Sequence, residues 1–167
     1  MSPADLMDRS SICEKESDAL ENFFVRPFFL SVTIGIPFCI FKLLFGVTAI
    51  RVSSAPPLHL FGWLVILWAG ADFLMNAGRA VFDLFRREAP FEYCTIGQLG
   101  RIFHKPLVFL ALDTLLTFTI ISLMLWSGWI AILTPLESYL WYAATTLNLI
   151  SLSLVILFTE IKRAAVD

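Results

Sequence analysis

Lys42, Asp72 and Asp113 are the residues whose chemistry most needs explaining, because each lies within a stretch apolar enough to sit in lipid. Ionisable side chains at such depth are costly. They survive where they pair with one another, fix helices in register, or handle protons and ions. Asp72, Asn76, Arg79 and Asp83 follow at i, i+4, i+7 and i+11, one polar stripe on one helical face. Ser31, Gly35, Cys39, Lys42 and Gly46 form a second stripe, of small residues with a lysine in it. Small residues let helices approach closely in a medium that supplies no hydrophobic drive between them. Asp113 and Thr117 share a face further on, as do Asn148 and Ser151.

Depth sets which of these can meet. At 1.5 Å per residue, Asp72 and Asp113 each fall roughly 9 Å from the inner boundary, and Lys42 about 12 Å from the outer one. The two aspartates are therefore level, and Arg79, reaching up from the inner interface, is their expected partner. A direct Lys42–Asp72 pair requires tilt or a reaching side chain, and Lys42 has the alternative of snorkelling outward. The functional reading of the cluster Lys42, Asp72, Asn76, Arg79 and Asp113 is a paired-carboxylate site for a proton or cation, gated by Arg79. The structural reading, ranked first, is an Arg–Asp clamp with Asn76 that fixes helix packing. Gly35, Cys39 and Gly46 are read as a helix-packing stripe.

No other chemistry is legible. His59 and His104 fall at opposite membrane boundaries and cannot share one haem. Cys13, Cys94 and His104 lack metal-ligand spacing, and no nucleophile elbow, zinc-protease or nucleotide-binding motif is present. Hence no catalytic residue, cofactor or metal is expected. A lipid-modifying enzyme using Asp83, Glu88, Glu92 and His104 ranks last, because their spacing matches no catalytic constellation.

The elements that must position these residues follow from composition. Of 167 residues, 58% are hydrophobic and 16% charged, against about 25% charged in an average soluble domain. The shortfall is concentrated in blocks. A bilayer core roughly 30 Å thick needs about 20 apolar helical residues, and spans are expected at about 28–50, 58–82, 107–133 and 138–159. They must be helical, since backbone groups in lipid are satisfied within the segment and no strand alternation exists to build a barrel. The expectation is an all-α integral membrane protein, four transmembrane helices in a bundle forming one domain over 27–167. Residues 1–26 form an acidic cytoplasmic segment in which 11–24 make an amphipathic helix along the interface, started by the capping-box spacing Ser11 to Glu14. A short interfacial helix is expected over Thr95 to Phe103, and Pro37 is expected to free a carbonyl in the first span.

Orientation rests on the basic residues. Ten of the 12 Lys and Arg fall on one side, from Arg9 to Arg163, with Arg51 opposite and Lys42 within the span. Basic residues accumulate in cytoplasmic loops, so both termini are expected inside. Trp63, Trp126, Trp129, Tyr139, Trp141 and Tyr142 are expected as an outer aromatic belt. The short outer connections exclude an external receptor domain, and no secretory signal peptide is expected. The basic cluster is too small to indicate nucleic acid. The sequence thus points to a multi-pass protein of the inner (plasma) membrane that serves as a non-catalytic structural, assembly or interaction subunit. Its partners are the bilayer and other membrane subunits, or further copies of itself. The alternative is a small oligomeric proton- or cation-coupled transporter using Asp72, Asp113 and Lys42.

Overall fold

Each of the four long helices begins on proline, where the missing N–H costs nothing and the fixed φ suits the first turn. In the computed structural model, which describes residues 26–87 and 89–166, these helices are α1 (Pro27–Val52), α2 (Pro56–Leu84), α4 (Pro106–Trp126) and α5 (Pro135–Val166). A short α3 (Thr95–Ile102) lies between the second and third long helices. All four long helices are apolar and long enough to cross a membrane, and the described residues contain no strand. They mark the chain as a multi-pass membrane protein. The amphipathic helix expected over 11–24 lies outside the described residues, as do Cys13 and Glu88.

The helices are arranged around α1. It approaches α2 most extensively and also contacts α4 and α5, whereas those three approach one another far less. Accordingly 44% of the apolar stretch of α1 is buried, against 22% for each of the others. The core follows α1 toward the α1–α2 turn: Phe38, Phe41, Leu44 and Phe45 pack with Val65, Ile120, Met124 and Trp141. Trp141 meets Phe41 edge-on at 4.9 Å and Trp129 stacks on Phe45 at 5.6 Å. Trp141 is buried in the core and Trp129 packs against it partly buried, because the large rings of α1 offer them an aromatic surface to cover. Trp126, at 90% exposure, does face outward.

Local chemistry sets the boundaries. The third long helix stops at Trp126, earlier than the expected 133, because Ser127 bonds back to the Leu123 carbonyl and Gly128 adopts φ 72°, a left-handed terminator. A single 3₁₀ turn, Trp129–Ile132, then leads to α5. There Thr134 and Glu137 make a reciprocal capping box: the Thr134 N–H donates to Glu137 (2.8 Å) and the Glu137 N–H to the Thr134 hydroxyl (3.4 Å). Glu137 also takes a two-pronged bond from Arg51, so the end of α1 is tied to the start of α5. The second long helix ends at Leu84 with Phe85 as its cap, beside the end expected from sequence at Phe85 or Arg86. It stops there, short of Pro90, because Arg86 turns left-handed (φ 54°), letting Arg87 N–H reach the Phe82 carbonyl. His104 ends α3 in the same way (φ 55°). Within α1, residues Ser31–Gly35 widen into a π turn. Pro37 explains it: the ring supplies no N–H to the Thr33 carbonyl and crowds it, so the preceding turn loosens.

Candidate functional site

Two antiparallel helices bring Lys42 and Asp72 together across the depth offset inferred from sequence. Side chains lean toward the N-terminus of their own helix. Lys42 on α1 therefore leans toward the end of the molecule that holds α3, while Asp72 on α2 leans away from it. Each closes part of the gap. The Lys42 ammonium donates to Asp72 Oδ2 and to Asp113 Oδ1, both at 2.7 Å, and lies 4.1 Å from the centre of the Trp68 ring. Lys42 and Asp72 are each 1% exposed and Asp113 4%. Three of the four long helices are thus joined at one nitrogen, held by two hydrogen bonds and one cation–π contact.

Arg79 does not take the place expected for it. Its guanidinium donates to the Phe91 carbonyl, lies over the Tyr93 ring at 3.8 Å and sits 3.8 Å from Glu92. The Arg–Asp clamp expected from sequence is therefore a Lys–Asp–Asp clamp. Arg79 failed as partner because the connection after α2 folds back against that helix and supplies nearer acceptors. Residues 89–95 form this strap. Asn76 donates to the Tyr93 carbonyl (2.7 Å), Arg101 to the Pro90 carbonyl (2.8 Å), and the Glu92 N–H to Gln98 (3.0 Å). The strap delivers Thr95 into the cluster. Its N–H and hydroxyl donate to Asp72 Oδ1 at 2.7 and 2.8 Å, so both oxygens of Asp72 are occupied.

The stripe of small residues lies along the same seam. A Cβ on Gly35 would stand 1.9 Å from Asn76 Oδ1, so that side chain fits only against glycine. Cys39 Sγ lies 3.8 Å from Asn76 Nδ2, and Gly46 packs against the Gly62 backbone. Asp83, at the foot of the α2 stripe, accepts from the Phe28 N–H and so caps α1 (3.2 Å). Thr117 bonds to the Asp113 carbonyl (2.9 Å), and Asn148 and Ser151 are buried on α5. His104 is exposed beyond the end of α3, while Cys94 is buried at its start.

Sequence reasoning missed Thr95, Cys94 and Trp68. Trp68 was detectable, since it precedes Asp72 by four residues on one helical face. The other two depend on a chain reversal that no local pattern announces. Cys94 caps α3 by accepting the Gly97 N–H (3.2 Å). Burial, and after it the negative charge of Asp113, pushes its thiol up to about 12, which keeps it neutral and inert.

Chemically the cluster is saturated at Lys42 and at Asp72. What remains open is a cavity of about 180 Å³ bounded by Leu30, Ile34, Phe38 and Leu110, with the charged groups on its wall. Asn76, which lines it, has a buried Oδ1 with no hydrogen-bond donor among the described residues. One ammonium faces two carboxylates, so one carboxylate is in excess of the cations at the cluster. No family model, curated protein or solved structure matches this chain.

Proposed function

We propose that this chain is a non-catalytic structural or interaction subunit of a larger assembly in the inner (plasma) membrane. In this reading the four helices form a bundle with both termini cytoplasmic, and residues 1–26 lie along the inner interface. The observation that carries it is the commitment of Lys42: a buried ammonium bonded to Asp72 and Asp113 and set over the Trp68 ring joins three helices rather than serving a substrate. Two further features support it. Beyond Lys42 the core is apolar, with Phe41, Phe45, Met124 and Trp141 packed together, which disfavours a polar path through a single chain. The outer faces of α2, α4 and α5 present large apolar side chains, among them Leu67, Leu74, Leu115 and Ile150, suited to lipid or to helices of another subunit.

Gentle extraction followed by native mass determination tests this. Co-purification with other membrane chains is the expected result, and Asp113→Asn is expected to reduce the recovered protein and its partner together. A second reading, proton or cation coupling in an oligomer, is favoured by the surplus carboxylate and by the unpartnered Asn76 oxygen. It gains if Asp72→Asn and Asp113→Asn fold normally yet abolish proton-coupled flux in liposomes. For orientation, a reporter fused after Arg51 is expected to read as external and one after Arg87 as cytoplasmic; the reverse pattern refutes the assignment.

A further inference from the structure

The end of the molecule that holds α3 carries a second, larger cavity, of about 890 Å³, where the start of α1 meets the end of α2. Five arginines line it: Arg26, Arg79, Arg86, Arg87 and Arg101. Two are committed to the strap, Arg79 to the Phe91 carbonyl and Arg101 to the Pro90 carbonyl. Among the described residues, Arg26, Arg86 and Arg87 form no side-chain hydrogen bond or ion pair. The two lining carboxylates already have other contacts, Asp83 with the Phe28 N–H and Glu92 with Arg79. The cavity therefore holds a surplus of planar, forked donors of the kind that grip phosphate oxygens in pairs.

An apolar groove of about 430 Å³ adjoins it, lined by Val81, Phe82 and Phe85, and the two hollows share Arg87. Val81 and Phe85 are 52% and 71% exposed. Both features sit at the ends of membrane-spanning helices, the level of lipid headgroups. A free phosphate would use the arginines and leave the groove unfilled. An amphiphile uses both. We propose that this pair of hollows binds one anionic phospholipid, with its phosphate among Arg26, Arg86 and Arg87 and an acyl chain along Val81, Phe82 and Phe85. This inference is independent of the subunit reading.

The test is native mass spectrometry of the full-length protein, titrated with phosphatidylglycerol or with phosphatidylcholine of the same acyl chains. One phosphatidylglycerol is expected to be retained with about tenfold or greater preference. The preference is expected to vanish in the Arg26→Gln/Arg87→Gln variant with its thermal midpoint unchanged. Equal retention of the two lipids by the unmodified protein overturns the proposal, whatever the variant does. So does displacement of the lipid by millimolar inorganic phosphate, which reassigns the cavity to a soluble ligand. Lipid binding that appears only after removal of residues 1–25 also overturns it, and makes the chain's own acidic segment the occupant.

Discussion

Lys42→Met is expected to destabilise the protein by about 3–5 kcal/mol, the range typical of removing one partner from a buried ion pair. The substitution leaves Asp72 and Asp113 facing each other with no cation at a buried site. The size of this effect is mainly the penalty of uncompensated carboxylates and says little about the net strength of the intact cluster. The triple variant Lys42→Met/Asp72→Asn/Asp113→Asn removes all three charges and is expected to recover most of the loss, since Asn at position 72 can still accept from Thr95. Unfolding midpoints in detergent, read for both variants, check this. Equal stability of Lys42→Met and the parent protein would show that the ammonium holds nothing together.

Gly46→Ala and Gly62→Ala carry the second large effect. A Cβ on Gly46 would stand 2.8 Å from the Gly62 carbonyl oxygen, and a Cβ on Gly62 would stand 2.9 Å from the Gly46 carbonyl oxygen. Backbone meets backbone at this crossing, so no side chain can rotate away. Each added methyl must push α1 and α2 apart, at a cost of about 1–3 kcal/mol for overpacking. Separation also strains the Lys42–Asp72 pair, because Gly46 lies one helical turn from Lys42. Gly70→Ala supplies the control on α2: among the described residues, nothing lies within 4 Å of its Cβ position. It is expected to be neutral or to stabilise by up to about 1 kcal/mol through helix propensity. Thermal midpoints that rank all three substitutions alike would refute the close-contact account.

Much of this architecture was legible in the residues, and the particulars show why. The long apolar blocks announced four helices because no other backbone arrangement of such segments satisfies its own hydrogen bonds in lipid. Prolines 27, 56, 106 and 135 mark where those helices begin. The polar stripe on α2 and the small stripe on α1 were visible from spacing alone, and the structure sets them face to face. The partner of Lys42 was not legible. Counting residues from a boundary gives the depth of a Cα, while pairing is decided by the head of a side chain, here displaced toward the other helix from both sides. The strap was hidden for a different reason: residues 89–95 carry no periodic pattern, and their contacts are to backbone carbonyls that every residue possesses.

Because α1 packs against every other long helix, and because it precedes them in the chain, the order of synthesis shapes the cluster's electrostatics. Lys42 precedes Asp72 by 30 residues and Asp113 by 71. At roughly 5–20 residues per second, the lysine enters the bilayer about 2–6 s before its first counterion is made. Once the α1–α2 hairpin is complete, that pair is neutral, and a nascent chain halted there carries no unbalanced charge at this depth. The arrival of α4 changes the account by adding a second carboxylate to a cation already matched. The surplus carboxylate is thus a property of the finished protein only, acquired at the step that also completes the shelter around it.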